Sequence, residues 1–195
     1  MAQVKKTAVR EAILAAAWKL FSEDGYNGST LSRIAKAAGI STANLYVYFP
    51  SKLDILYAIY SPWMRERLTA LAAEAEEIAE PRDRLRLIIR NLWRDIPAAA
   101  NGFANNLIQA LSGVAADAAY DPGLLLWCET IVAEMIRDCL PRRAAAAEVE
   151  TLAHVMFMAF DGFAVNLHLQ RGERCTDAAI ELFCDFLLGP AKGRA

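Results

Sequence analysis

The sequence is poor in residues that interrupt helices. Its 195 residues include only 10 glycines and 7 prolines, while 55% are hydrophobic and 23% are charged. Glycine and proline are the residues least compatible with a helix interior, so long segments rich in alanine, leucine and arginine predict an all-α fold. The hydrophobic share also favours a folded core and argues against disorder.

Long apolar segments are missing as well. The longest runs from Val155 to Leu167; it is interrupted by Asp161 and is shorter than the roughly 20 residues that a membrane-spanning helix needs. Arg10, Glu11 and Lys19 interrupt the stretch in which the apolar core of a signal peptide would have to stand. We therefore expect a cytoplasmic protein that has no membrane partner.

Patterns that mark metal sites and enzymes are absent too. The four cysteines form no Cys-x-x-Cys pair, so reduced and mostly buried thiols are the expectation. His154, Asp161 and His168 share one helical face, but residues one heptad apart are separated by about 10 Å along the helix, too far to hold one ion. No Ser-His-Asp arrangement, phosphate loop or glycine-rich nucleotide turn stands out. We expect no metal, no cofactor and no enzyme.

Charge is distributed unevenly along the chain. Residues 1 to 60 carry seven basic and four acidic side chains, a net charge of +3, so the net charge of −2 for the whole chain leaves −5 for the remainder. A basic N-terminal part suits contact with phosphates. Ordinary scatter of surface charge also produces differences of this size.

What the sequence does contain is a helix-turn-helix pattern between Thr30 and Lys52. Two short helical patterns are separated by Gly39, which can adopt the left-handed conformation that ends one helix and lets the next leave at a steep angle. Leu45 and Phe49, four residues apart, form the apolar face of the second helix, and Ser41 is its expected N-cap.

This stretch resembles the helix-turn-helix of the TetR family of bacterial repressors. The family signature contains a Thr, an Ile-Ala pair, an Ala-Gly-Ile/Val-Ser run, a Leu-Tyr-x-x-Phe run and a Ser-Lys pair. The matching residues are Thr30, Ile34, Ala35, Ala38, Gly39, Ile40, Ser41, Leu45, Tyr46, Phe49, Ser51 and Lys52. Ala43 and Val47 are less typical of the family and bear on which operator is bound.

The resemblance implies that the second helix enters the major groove of DNA with its N-terminal residues toward base edges. The residues expected to face bases are Thr42, Ala43, Asn44 and Tyr46, with Val47 placed to touch a thymine methyl group. The residues expected at or near the phosphate backbone are Thr30, Ser32, Arg33, Ser41, Tyr48 and Lys52. For the two tyrosines the alternative is semi-buried packing with a solvated hydroxyl group.

Periodicity and helix-breaking residues divide the chain into about nine helices. We expect a three-helix DNA-binding domain over residues 1–52 and a helical ligand-binding and dimerisation domain over residues 53–195. Outside the motif, the expected helices are Thr7 to Asp24, Ser51 to Ile78, Pro81 to Ile96, Asn101 to Leu111, Asp121 to Leu140, Ala145 to Gln170 and Thr176 to Leu188. Pro62 lies inside the second of these and predicts a kink or break near Ser61.

Large apolar side chains beyond the motif are compatible with a ligand cavity between helices. The candidates for contact with a small, largely apolar effector are Trp63, Trp93, Phe103, Leu107, Trp127, Met135, Phe157 and Asp161. Simple core packing is the alternative for the aromatic residues and the methionine. Asp161 stands within an apolar helix, where an unpaired carboxylate is costly. Asn105, Asn106 and Gln109 are further candidates for polar anchors.

The last two helices are apolar on more than one side, which favours a second subunit as their cover. The family resemblance implies a four-helix bundle built by this pair of helices across a two-fold axis. The predicted interface residues are Phe163, Leu167, Ile180, Phe183 and Leu187.

The sequence therefore predicts a homodimeric, ligand-responsive transcriptional regulator. We expect a repressor that leaves a palindromic operator when an unidentified effector binds. Two alternatives stay open: an architectural DNA-binding protein that has no effector, and an all-helical carrier in which the motif is only structural.

Overall fold

The computed structural model describes residues 2–98, 102–113, 121–141, 144–169 and 175–190. Every regular element in these ranges is a helix, which confirms the all-α expectation. The nine helices are α1 (Ala2–Gly28), α2 (Leu31–Ala37), α3 (Thr42–Tyr48), α4 (Lys52–Glu76), α5 (Pro81–Arg90), α6 (Phe103–Ser112), α7 (Gly123–Arg137), α8 (Ala146–His168) and α9 (Asp177–Leu188). A π-helical turn, Asn91–Asp95, follows α5 directly. None of the helices in the described part of the chain is long and apolar enough to cross a membrane.

The expected break near Ser61 is wrong, because α4 continues through Pro62 as one helix. Tyr60 and Met64 are buried on either side of the proline, whose own ring faces solvent. Packing on both sides holds the helix together although the proline removes a backbone hydrogen bond, and a kink without a break stays a prediction. The interruption lies instead in α1, where Gly25 has φ +70° and ψ 173°.

The chain forms two compact units, and α6 belongs to the first. The N-terminal unit comprises residues 1–64 and 101–118, and the C-terminal unit comprises residues 65–100 and 119–195. The first unit thus contains α1, α2, α3, the first half of α4, and α6. A single boundary after residue 52 was expected from the sequence. The contacts instead place the boundary within α4, after residue 64, and assign α6 to the N-terminal unit.

The N-terminal unit is built around buried aliphatic and aromatic side chains. Its core includes Ile13, Ala17, Phe21, Ile34, Ala35, Leu45, Ile55, Leu56, Tyr60 and Phe103. These residues come from all five helical segments of the unit. Each fully buried side chain of this size contributes about 1.5–3 kcal/mol from the removal of apolar surface from water. The short helices α2 and α3 are therefore held by packing, because helices of seven residues are not stable alone.

In the C-terminal unit, an antiparallel series of ion pairs joins α5 and its π turn to α9. The pairs are Arg82 Nη1 with Asp185 Oδ1 at 2.7 Å, Arg86 with Glu181, and Arg94 Nη1 with Asp177 Oδ1 at 2.8 Å. The apolar core beside them includes Leu85, Ile88, Leu92, Val132, Ile136, Met156, Phe160, Ile180 and Cys184. The matched order of charges along two antiparallel helices fixes their register.

The four cysteines agree with the expectation of reduced, buried thiols. Cys128, Cys139, Cys175 and Cys184 are all free and buried. Burial raises the pKa of the Cys128 thiol to about 12 and that of Cys139 to about 11. Since the thiolate is the reactive form, these side chains are poor nucleophiles near neutral pH.

Candidate nucleic-acid interface

Two side-chain caps and one glycine define the helix-turn-helix. Thr30 is the N-cap of α2, and its hydroxyl oxygen accepts a hydrogen bond from the Arg33 backbone N–H at 3.2 Å. Ser41 caps α3 in the same way, accepting from the Asn44 N–H at 3.1 Å. Gly39 has φ +70°, the left-handed conformation expected from the sequence. The predicted Ser41 cap and Gly39 turn are therefore confirmed, and the Thr30 cap is an additional finding of the structure.

One face of α3 anchors the helix and the other is open. Leu45 and Phe49 are buried, as their spacing predicts. Tyr46 and Val47 are 53% and 70% exposed, an unusual position for large apolar groups unless a partner covers them. The remaining predicted base-facing residues, Thr42, Ala43 and Asn44, lie at the N-terminal end of the same short helix, and only Thr42 is half-buried. The structure thus brings the whole predicted base-reading set onto one seven-residue helix.

Two of the predicted phosphate-contact residues have internal partners. Arg33 donates to the Gly28 carbonyl at 2.8 Å and pairs with Asp24 at 2.6 Å. Lys52 donates from Nζ to the carbonyls of Tyr26 at 2.7 Å and Ser29 at 2.9 Å. Its ammonium group also lies 3.9 Å from the centre of the Tyr26 ring. Desolvation by burial lowers the pKa of Lys52.

These contacts give Arg33 and Lys52 a structural role that the sequence does not reveal. Both side chains hold the segment Gly25–Ser29, which we call the elbow because it joins the kinked end of α1 to α2. Phosphate contact by either residue stays a prediction, as it does for Thr30, Ser32, Ser41 and Tyr48. Among these four, Tyr48 is half-buried and the others are exposed.

Asn106 and Gln109 of α6 also bind the elbow, although the sequence suggested them as polar anchors for a ligand. The Asn106 side chain accepts from the Tyr26 N–H at 2.7 Å and donates to the Phe21 carbonyl at 3.0 Å. Gln109 Oε1 accepts from the Asn27 N–H at 3.3 Å. Sequence patterns could not show this, because the bonded residues are about 80 positions apart.

The predicted ligand-contact residues do not form one cluster. Trp63, Phe103 and Leu107 belong to the N-terminal unit, whereas the other five belong to the C-terminal unit. Phe103 is buried with its ring centre 4.3 Å from that of Trp18 and 5.7 Å from that of Trp63. These rings form an aromatic cluster in the N-terminal unit, so core packing is sufficient to explain the positions of Trp63 and Phe103.

Most of the five residues in the C-terminal unit have packing partners. Trp93 is buried and its indole N–H donates to the Met156 carbonyl at 2.9 Å. Phe157 stacks on Phe160 with ring centres 5.3 Å apart, and the Arg65 guanidinium lies 4.4 Å from the Trp127 ring centre. Contact with an effector stays a prediction for all three predicted residues.

The other two predicted residues are Met135, which lines a groove, and Asp161, which is only partly buried. Met135 lines a groove of about 300 Å³ together with Ala72, Arg84 and Glu134. Asp161 is half-buried, and desolvation raises the pKa of its carboxyl group to about 6. No described residue pairs with this carboxylate, so it remains available to a ligand or to a second copy of the chain.

The predicted dimer-interface residues need a correction. Ile180 is 1% exposed and belongs to the core of the C-terminal unit, so its side chain has no surface to offer a partner. Phe163 and Phe183 are half-buried, with ring centres 5.4 Å and 4.7 Å from that of Trp93. Leu167 and Leu187 are also half-buried. The large exposed apolar residues of α8 and α9 are instead Val155, Met158, Leu182 and Phe186, with Leu169 directly after the end of α8.

Comparison with known proteins identifies the N-terminal motif. Residues 13–59 match the family model described as bacterial regulatory proteins of the tetR family. The helix-turn-helix of this chain is of the TetR-family type. The matched range covers α2, α3 and the caps described above, which are the features that carry the resemblance.

Two curated relatives and one solved structure illustrate the extent of this similarity. The regulator RutR of Escherichia coli K12 is 37% identical over 112 residues, which cover 52% of this chain and 49% of RutR. The fatty acid metabolism regulator protein of Bacillus subtilis is 34% identical over 77 residues, 40% of each chain. The crystal structure of the Bacillus subtilis regulator FadR in complex with stearoyl-CoA has a TM-score of 0.64 at 18% identity, with 93% of this chain and 99% of that chain covered.

The chain spans about half or less of the curated relatives' lengths in the matched regions. The full-length structural similarity shows that the fold extends through the C-terminal unit. The relatives are named as regulators, in agreement with the expectation that the chain is not an enzyme.

Proposed function

We propose that this protein is a transcriptional repressor that binds a palindromic DNA operator as a homodimer and is released by a small effector with a large apolar part. It would act in the cytoplasm. The observation that carries the proposal is the exposed face of α3, with Tyr46 and Val47 uncovered on a helix whose opposite face is buried. In a helix-turn-helix of this type, the exposed face of the second helix is the part that enters the major groove.

Selection of bound duplexes from random DNA tests the first half of the proposal. We expect enrichment of an inverted repeat whose half-sites lie about one helical turn apart, or a small multiple of that distance. Val47→Ala should relax the preference for thymine at one position of each half-site, since it removes the contact with the methyl group. Failure of the wild-type chain to enrich any sequence would contradict the proposal and favour the carrier alternative.

The homodimer is proposed from the exposed side chains of the last two helices. Val155 and Met158 on α8 and Leu169 at its C-cap are exposed, as are Leu182 and Phe186 on α9. The first three are spaced 3 and 11 residues apart and the last two 4 apart, which places each set on one side of its helix. A second copy is the cover that a two-fold symmetric operator requires.

The effector class is proposed with support from a structural relative. The FadR structure of similar fold contains stearoyl-CoA, a molecule with a long acyl chain. The C-terminal unit of this chain is rich in aromatic and sulfur-containing side chains, which pack well against such a chain. We propose an acyl thioester as the effector.

Competition experiments with the selected operator test this effector class. A series of acyl-CoA esters of increasing chain length should release the duplex at lower concentrations than free coenzyme A or the corresponding free acids do. An equal response to coenzyme A and to every ester would contradict recognition of the acyl chain. The absence of any response would favour an effector-independent DNA-binding protein.

A further inference from the structure

The elbow between α1 and α2 requires partners from outside the helix-turn-helix. Gly25 leaves the helical conformation with φ +70° and ψ 173°, and such breaks deprive nearby backbone groups of their regular hydrogen-bond partners. Ser29, which is buried, satisfies one group by donating from its hydroxyl to the Gly25 carbonyl at 2.8 Å. The Ser29 N–H also donates to the Tyr26 carbonyl at 3.3 Å, and side chains of α2, α4 and α6 supply further bonds to the elbow.

Asn106 supplies a donor and an acceptor at the same place. Its side-chain oxygen accepts from the Tyr26 N–H at 2.7 Å, and its side-chain nitrogen donates to the Phe21 carbonyl at 3.0 Å. The residue is 2% exposed, so water does not compete for these bonds. An amide is the side-chain group that offers both functions on adjacent atoms, and an ionised aspartate would lose the donor. Both polar ends of a buried amide are therefore used to hold one backbone segment.

Gln109 lies one helical turn further along α6 and extends the same contact. It accepts from the Asn27 N–H at 3.3 Å. A Cβ atom added at Gly25 would lie 3.5 Å from Gln109 Oε1 and 3.7 Å from Asn106 Oδ1. The two α6 side chains thus lie directly against the bend of α1.

The elbow also sets where α2 begins. It ends at Ser29, immediately before Thr30, the N-cap of α2. Lys52 holds the carbonyls of Tyr26 and Ser29 from the first turn of α4. A change in the elbow therefore changes the direction of α2, and with it the orientation of α3, which packs on α2.

We infer that Asn106 is a positioning residue for DNA recognition: together with Gln109 it fixes the elbow so that α3 presents Tyr46 and Val47 in the orientation that base contact requires. This inference rests on the proposed DNA-binding function. In sequence, α6 stands between helices of the C-terminal unit, yet it is packed in the N-terminal unit. A displacement of α6 would therefore weaken DNA recognition without any change in the helix-turn-helix sequence.

The test compares Asn106→Leu with Asn105→Leu in the full-length protein. Leucine branches at the same carbon as asparagine but is larger and makes neither hydrogen bond, so the same substitution at Asn105, the half-buried neighbour on the same helix, controls for the added volume. The probes are the duplex that the wild-type chain selects from random DNA and a scrambled duplex of equal length. Thermal unfolding is measured for each variant so that affinities refer to folded protein.

Asn106→Leu should bind the selected duplex about tenfold or more weakly than wild type, because misplaced base contacts each cost roughly that much. Its affinity for the scrambled duplex should be unchanged, because that binding depends on phosphate charge. Asn105→Leu should bind both duplexes as wild type does. Wild-type affinity of folded Asn106→Leu for the selected duplex would overturn the inference, and so would an equal loss for both duplexes.

Hydrogen exchange keeps the inference testable if Asn106→Leu does not fold. In the wild-type protein the Tyr26 amide should be protected as strongly as amides within α2, since both would open only with the same packed structure. Rapid exchange of the Tyr26 amide would overturn the inference. Failure of the wild-type chain to select any duplex is a separate result, which contradicts the proposed function before any variant is compared.

Discussion

Replacement of Phe186 by alanine should weaken self-association strongly. Phe186 is 76% exposed in the single chain, the largest exposed fraction among its large apolar residues. Full burial of a phenylalanine side chain contributes about 1.5–3 kcal/mol, so covering this exposed part contributes roughly 1–2 kcal/mol. A two-fold interface contains the residue twice. The loss is then roughly 2–4 kcal/mol, and the dimer Kd should rise roughly 30- to 900-fold.

Sedimentation velocity over a range of protein concentrations measures this change. Leu126→Ala is the matched control, because Leu126 is 55% exposed but lies on α7, outside the proposed interface. The control should dimerise as wild type does, and both variants should unfold at wild-type denaturant concentrations when each is monomeric. A Kd for Phe186→Ala within about threefold of wild type would refute the placement of the interface on this side of α9.

DNA binding provides an independent measurement of the same change. Two recognition helices must be held together to engage both half-sites, so the variant should bind the selected operator only above its new dimer Kd. Binding at concentrations far below that Kd, with an unchanged footprint, would show that α9 does not determine the spacing of the two recognition helices.

Three further substitutions probe charged groups. The raised pKa of Asp161, about 6 against the usual 3.8, means that the ionised carboxylate destabilises the folded state fully above pH 6 and not below pH 4. After a discount for solvent screening, Asp161→Asn should raise the free energy of unfolding by roughly 1–2 kcal/mol at pH 7.5 and by about a third as much at pH 4.5. Urea titrations at the two pH values measure the gain, and an equal gain at both would contradict this reasoning. Glu181→Gln should cost about 1–2 kcal/mol because it removes one of two ionic partners from half-buried Arg82 and Arg86. Glu23→Gln, in the exposed pair with Lys19, should change stability by less than about 0.5 kcal/mol. Lys52→Met should lower the free energy of unfolding by about 1–2 kcal/mol, since it removes two charge-assisted hydrogen bonds to backbone carbonyls. Unchanged stability together with weaker DNA binding would mean that this lysine contacts phosphate and does not stabilise the fold.

Features that depend on nearby residues could be predicted from the sequence. The N-caps Thr30 and Ser41, the left-handed Gly39 and the buried pair Leu45 and Phe49 all follow from spacings of ten residues or fewer. A capping hydroxyl needs only the amide three residues ahead, and an apolar stripe needs only the helical period. For this reason α3 begins where the sequence predicts, and the same local rule accounts for the start of α2 after Thr30.

Features that depend on tertiary packing could not be predicted in the same way. Periodicity shows two apolar stripes on α9, one through Ile180 and one through Phe186, but it does not show which of them faces the core. The orientation is decided by α5, whose arginines pair with the acidic residues of α9 and turn Ile180 inward. Pro62 illustrates the converse case, because buried neighbours on both sides keep α4 continuous despite a strong local signal for a break.

The dependence of the elbow on α6 also limits what similarity in the N-terminal motif can say about DNA recognition. The family match covers residues 13–59 and therefore includes Phe21, Tyr26 and Asn27, whose backbone groups bind α6, but not Asn106 or Gln109. A chimera that places residues 1–64 of this chain on another body would leave two backbone groups without their partners, the carbonyl of buried Phe21 and the N–H of half-buried Tyr26. Each such group costs roughly 1–3 kcal/mol, enough to favour a different conformation of the elbow. If Asn106 acts as inferred, we expect a chain with the same α3 but without these α6 side chains to orient α3 differently, so operator comparisons have to include α6.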